Sequence, residues 1–286
     1  MKISGFTFLR NARFNGYPFI ESIQSLLPLV DEYVIAVGLS DDDTRAAVAS
    51  IKSPKIRIVD TVWNESQVDR GFVYGQQKMI AHYNCTGDWA FYLEGDEVLH
   101  ENSLERIYAK LESRIHDERV EAFYFDFLHF YGTPNQIGVA GYRQAPRIIR
   151  NTIRSFSPDG LFFVVLDENK RGRYPRACSA DEYIYHYGHC RSVAKMQKKI
   201  DDVSKYWGVR AERFEGYGNI DLAELKKFSG QHPKVMDNWL SEEAEHVFEQ
   251  NPGFTPSKRD LRNRLRFWVE EKLSIEISKK HFSRVK

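Results

Sequence analysis

Apolar positions along the first hundred residues recur with two alternating periods. Ile3 to Leu9 has the length and composition of a strand, and Phe19, Ile20, Ile23, Leu26 and Leu27 then recur with helical spacing. Tyr33-Val34-Ile35-Ala36-Val37 is a second buried strand, and Asp43-Thr44 caps a short helix expected to run through Ile51. Ile56, Ile58 and Val62 share one face of a third strand, and Phe72 to Tyr83 is amphipathic. Trp89 to Leu93 is the fourth strand, followed by a helix carrying Leu104, Ile107, Leu111 and Ile115. Strand alternating with helix implies a parallel sheet covered on both faces.

After residue 119 the texture changes. Val120 to Tyr131, Tyr142 to Arg150, Leu161 to Leu166 and Glu182 to Tyr187 are aromatic, strand-like and separated by turns bearing Gly or Pro. Beyond Arg191, Val193, Met196, Ile200, Val203 and Trp207 step by three and four, the helical period. The pattern therefore predicts an α/β domain over 1–190 and a helical C-terminal extension over 191–286.

The apolar run Trp89 to Leu93 stops on Glu94-Gly95-Asp96-Glu97, three carboxylates in four positions. Alternate residues of an extended chain point the same way, so Glu94 and Asp96 can face one hard cation together. Oxygen donors of this kind suit Mg²⁺ or Mn²⁺ bound with substrate phosphates. Ligands of open α/β sheets bind beyond the carboxyl ends of the strands, which is where these acids fall.

Composition narrows the alternatives. Forty-one basic and forty acidic residues give a net charge of +1, so nucleic acid is not an implied partner. Cys85, Cys178 and Cys190 are odd in number and form no C-x-x-C pair, which argues for a reducing, cytoplasmic setting and against structural zinc. The N-terminus is too short in apolar residues for a signal peptide, and no window is long enough to span a bilayer.

Four segments together resemble family 2 glycosyltransferases of the GT-A fold, in particular bacterial members acting on cell-surface glycans. They are Phe8-Leu9-Arg10-Asn11-Ala12, then Val30 to Val37 followed by Ser40-Asp41-Asp42-Asp43-Thr44, then Thr86-Gly87-Asp88-Trp89 through Glu94-Gly95-Asp96-Glu97, and Tyr185-His186-Tyr187-Gly188 with Arg191. The chain departs from the family at Gly38-Leu39, where an Asp is usual, at Glu94, one methylene longer than the usual Asp, and at Met79, where an Asn is common.

The resemblance implies a Rossmann-like, mainly parallel sheet and a metal-dependent, inverting transfer of sugar from a nucleotide-sugar donor to a glycan or lipid-linked acceptor. Asp96 is then the first metal ligand, Glu94 binds the metal or the ribose, and His186 is the third ligand, with His189 competing. Asp167 and Glu168, after the run Leu161–Leu166, stand where relatives carry the acid that deprotonates the acceptor, and Asp159, Asp181 and Glu97 are rivals. Arg10 and Asn11 would hold base or phosphate, Asp42 the nucleoside, and Lys78 the diphosphate. Arg147 and Arg150 would reach phosphate or acceptor. The segment Ser257–Lys286 is basic, with an apolar stripe of Leu261, Leu265, Trp268 and Val269, a pattern suited to peripheral contact with anionic membrane. Two alternatives compete: a non-catalytic nucleotide- or glycan-binding member, and a sugar nucleotidyltransferase, which would need a Gly-rich N-terminal loop where only Gly5 is found.

Overall fold

A computed structural model describes residues 1–285; Lys286, the last residue of the expected extension, lies outside them. The first third of the chain alternates as its periodicity predicts. Strands β1 (Ile3–Leu9), β2 (Glu32–Gly38), β3 (Ile56–Thr61) and β4 (Trp89–Tyr92) are separated by helices α1 (Phe19–Leu26), α2 (Thr44–Ala49) and α3 (Phe72–His82). β1 lies parallel to both β2 and β4, and β2 parallel to β3, giving the order β3-β2-β1-β4. Tyr33, Ile35 and Val37 of β2 enter one apolar layer, and Val34 and Ala36 enter the other. Strands buried on both faces read as continuous apolar runs, and each large side chain so buried contributes about 1.5–3 kcal/mol.

The second part completes the sheet. β5 (Glu97–Leu99) and α4 (Leu104–Ser113) precede β6 (Ala122–Tyr131), β7 (Thr133–Gly138) and β8 (Gln144–Arg150). β8 inserts antiparallel between β4 and β6, and β7 pairs antiparallel with β6. Short β9 (Ser155–Phe156), β10 (Val164–Leu166) and β11 (Gly172–Arg173) form a separate three-stranded sheet. β12 (Arg176–His189) is long, running parallel to β6 and antiparallel to β5, with register shifts after Ser179 and after His186. The whole is a mixed α/β sheet flanked by helices, with a Rossmann-like parallel half, of the GT-A type that the resemblance implies.

Two segments differ from the periodicity. Leu161 to Phe163 is not strand: Lys78 Nζ donates to the Gly160 carbonyl (2.9 Å) and Ser157 Oγ to the Phe162 carbonyl (2.6 Å), which fixes 157–163 as a loop. The C-terminal part is not helical throughout. It contains α5 (Val193–Ser204) with a 3₁₀ turn at Lys205–Trp207, β13 (Leu225–Lys227), α6 (Asp237–Glu242), α7 (Lys258–Leu273) and β14 (Ser283–Arg284). β13 pairs with β7 and β14 with the start of β12, and buried Phe282 stacks on Tyr124 with ring centroids 4.3 Å apart. The C-terminal part thus returns twice to the central sheet.

Candidate active site

The acidic run lies in the turn between β4 and β5, beyond the carboxyl ends of the parallel strands. A cleft of about 240 Å³ opens there. The loop after β1 supplies Arg10 and Asn11, the loop after β2 supplies Asp41, and the β4–β5 turn supplies Glu94 and Asp96. β12 adds His186, the 157–163 loop adds Asp159, and α5 with its 3₁₀ turn closes the cleft with Lys199, Asp202, Tyr206 and Trp207.

One end of the cleft is aromatic. Trp63 and Tyr74 each meet Tyr206 edge to face, with centroids 5.3 and 5.6 Å apart, and Trp207 stacks on Tyr74 at 6.0 Å. Arg10 lies over Trp63 (5.3 Å), donates to the Leu39 carbonyl and the Tyr206 hydroxyl, and pairs with Glu65, which also takes Lys205. Burial alone would raise the Glu65 carboxyl, but Lys205, Arg10 and Tyr206 outweigh it and bring it down to about 2. A Cβ at Gly38 would fall 2.5 Å from the Trp63 indole nitrogen, so the aromatic wall leaves no room for a side chain there.

Asp96 forms the floor. Its Oδ2 accepts from Arg191 Nη2 (3.1 Å) and Lys199 Nζ (3.2 Å), and its Oδ1 lies 3.6 Å from His186 Nε2. Burial pushes the Asp96 carboxyl up, but Lys199, His186 and Arg191 prevail and hold it well below the ordinary carboxylate range. His186 is aligned from behind. The Tyr142 carbonyl can only accept, so His129 donates to it through Nε2 (2.7 Å). With the His129 ring neutral, its Nδ1 then accepts from His186 Nδ1 (2.7 Å), which turns His186 Nε2 toward Asp96. Burial, with His186 adding to it, lowers His129 to about 3 and keeps its ring neutral.

Glu94 turns the other way. Arg147, 1% exposed, donates Nε and Nη2 to Glu97 (2.7 and 2.5 Å) and Nη2 to Glu94 Oε1 (3.1 Å). Burial, then repulsion by Glu97, pushes the Glu94 carboxyl up to about 7 against the pull of Arg147.

These contacts test the expected divalent-metal site. Asp96 and His186 converge, but Glu94 is drawn to Arg147, and among the described residues no three His, Cys, Asp or Glu side chains gather as metal ligands would. Two cationic side chains already occupy Asp96 Oδ2. A divalent ion about 4 Å from an ammonium is repelled by roughly 8 kcal/mol at an effective dielectric constant of about 20. The residues as arranged do not fit a resident Mg²⁺ or Mn²⁺.

Other expected site residues are also placed differently. Asp167 and Glu168 lie in the β10–β11 turn outside the cleft; Asp167 Oδ1 accepts from Arg171 N (2.8 Å), and Glu168 is exposed. Both are turn acids, because β10 ends in its own small sheet instead of at the cleft. Asp42 accepts from Phe14 N (2.8 Å) and Thr44 N (2.9 Å), joining two loops, while neighbouring Asp41 reaches the cleft. Lys78 is sealed beneath the 157–163 loop, 4.0 Å from the Tyr92 and Phe163 ring centroids, where burial and then Arg147 lower its ammonium well below the ordinary range. Arg147 serves Glu97, and Arg150 donates to backbone carbonyls from Arg114 to Val120. Asp181 pairs with Lys110, and His189 stacks on Tyr131 without lining the cleft. Arg10 and Asn11 line the cleft. Asn11 adopts φ 49° and exchanges hydrogen bonds with Asp41 through its side chain.

Sequence reasoning missed Trp63, Tyr74, Tyr206 and above all Lys199. A signal for Lys199 existed: it lies between Met196 and Val203 at spacings of three and four, a cation on the apolar stripe of α5.

No protein-family model matches the chain, and no curated protein matches it in sequence. Among solved structures it is similar to S. aureus TarS 1-349, at 14% identity and a TM-score of 0.41 over 70% of this chain and 54% of that one. The same TarS fragment in complex with UDP-GlcNAc gives 16% and 0.41 over 65% and 58%. Glucosyl-3-phosphoglycerate synthase from Mycobacterium tuberculosis, in complex with Mg²⁺ and UDP, gives 19% and 0.30 over 44% and 43%. The chain spans about half the length of the solved chains it matches.

Proposed function

We propose that the protein is a glycosyltransferase that moves a sugar from a nucleotide-sugar donor to a glycan or lipid-linked hydroxyl. The observation that carries this reading is the polarity of the cleft. Its aromatic end, built from Trp63, Tyr74, Tyr206 and Trp207, suits stacking on a nucleobase, and its floor carries cations beside Asp96. Stacking of a base on an aromatic ring contributes about 1–3 kcal/mol. Arg10 and Asn11, held at the end of β1, orient the nucleoside between these two parts.

Transfer with inversion requires a base on the acceptor side. Asp159 is the acid among the expected bases Asp159, Asp167, Glu168, Asp181 and Glu97 that lines the cleft, on a loop anchored by Lys78. It is assigned the acceptor proton. The acceptor oxygen then attacks the anomeric carbon as the diphosphate leaves. No step is drawn through a metal ion.

The lipid-linked choice of acceptor draws on α7, which starts with a Ser257–Asp260 capping box and carries the basic residues Lys258, Arg259, Arg262 and Lys272. It exposes Leu261, Leu265 and Trp268 at 54, 61 and 57%. This face is assigned to an anionic membrane surface. The test of the function itself is incubation with a panel of nucleotide sugars and detection of released nucleoside diphosphate. Hydrolysis or transfer from at least one donor is expected, and failure to bind or turn over any member of the panel would reject the reading.

A further inference from the structure

We infer that Lys199 supplies the positive charge that holds the donor diphosphate, that Asp96 is the anion fixing Lys199 in place, and that nucleotide binding needs no divalent cation. The inference rests on the functional reading above and specifies how its floor operates.

Three observations carry it. First, Lys199 Nζ enters the cleft from α5 and is held at both Asp96 Oδ2 and the Gly188 carbonyl, each at 3.2 Å, so its position is set before any ligand arrives. Second, Arg191 is fully buried behind Asp96, donating to its Oδ2 and to the carbonyls of Asn15 and Gly188. Asp96 therefore faces two fixed cations. Arg191 is locked away by backbone oxygens, so Lys199 is the one of the two that lines the cleft. Third, Glu94, which would have to join a cation beside Asp96, is committed to Arg147. An ammonium here does electrostatically what a bound metal would do, offsetting charge on the departing diphosphate without a proton transfer. Its three donors can satisfy the carboxylate and a phosphate oxygen together. The helix that brings Lys199 also brings Tyr206 and Trp207 through the following 3₁₀ turn, so one segment closes both ends of the donor site.

The experiment is calorimetric titration of UDP, GDP, CDP, ADP and dTDP into the full chain, in excess EDTA and again in millimolar Mg²⁺ or Mn²⁺. At least one nucleotide is expected to bind with affinities within about threefold in the two conditions. Lys199→Gln should weaken that binding by about 10–100-fold in EDTA, the value of a charge-assisted hydrogen bond, and Lys199→Arg should recover most of it. Mn²⁺ titrated alone should give no saturable heat.

Binding that appears only with metal would overturn the inference and leave the glycosyltransferase reading standing. Binding in EDTA that Lys199→Gln leaves unchanged would remove Lys199 from the role. If no nucleotide binds in either condition, the functional reading falls and the inference with it. Should Lys199→Gln lose its cooperative melting transition, the EDTA comparison on the unaltered chain and the Lys199→Arg titration still decide.

Discussion

Arg147→Met tests the electrostatics beneath the cleft. In the folded protein Arg147 is 1% exposed and Glu97 is 0% exposed. The guanidinium makes two hydrogen bonds to Glu97, one to Glu94 Oε1, and one each to the Pro146 and Leu161 carbonyls at 3.3 and 3.5 Å. Methionine fills comparable volume but leaves Glu97 with a single remaining donor, the Glu94 backbone N–H at 3.1 Å. Removing one partner of a buried pair costs about 3–5 kcal/mol, since the other charge stays behind without compensation. At about 2–4 °C per kcal/mol for a chain approaching this size, the melting temperature should fall by roughly 6–20 °C. The assay is urea unfolding near neutral pH. The stability loss should shrink as pH falls, because protonation discharges the stranded acids. Adding Glu97→Gln to Arg147→Met should recover about 2–3 kcal/mol, as coupling between direct partners predicts. A single variant within about 1 kcal/mol of the parent, or a double variant no more stable than the single, would refute the argument.

The remaining predictions concern the cleft and α7. Glu94, raised to about 7 by burial and Glu97, binds its proton more tightly folded than unfolded. Its contribution to stability is therefore full below its unfolded value near 4.5 and is lost as pH rises through about 7. Glu94→Gln should flatten the stability profile between about pH 5 and pH 8, and an unchanged slope in urea titrations would remove Glu94 as its source. Asp159→Asn should lower kcat by about 10²–10⁴-fold with donor affinity retained, and Glu168→Gln should leave kcat near the parent value; the opposite pattern in steady-state kinetics would move the base to the β10–β11 turn. Leu265→Glu with Trp268→Glu should abolish co-sedimentation with anionic vesicles and leave turnover of a soluble acceptor intact, whereas unchanged sedimentation would exclude α7 as the contact.

The parallel half of the sheet was legible from periodicity, because strands buried on both faces and amphipathic helices leave opposite signatures within a few residues. Glu94 and Asp96 were legible as cleft residues for the same reason: a strand that ends in acids brings them to the sheet edge. What those acids do was decided elsewhere. Arg147 comes from β8, inserted beside β4, and Lys199 and Arg191 come from the chain after β12. Each meets its acid across more than fifty residues, and no local pattern encodes such a pairing. Asp167 and Glu168 show the converse, since an apolar run before two acids looks the same whether its strand ends at the cleft or in a small separate sheet. The period of the side chains is a local property that the sequence carries by itself. The partner of a buried charge depends on how distant strands and helices come together, and only the tertiary structure determines it.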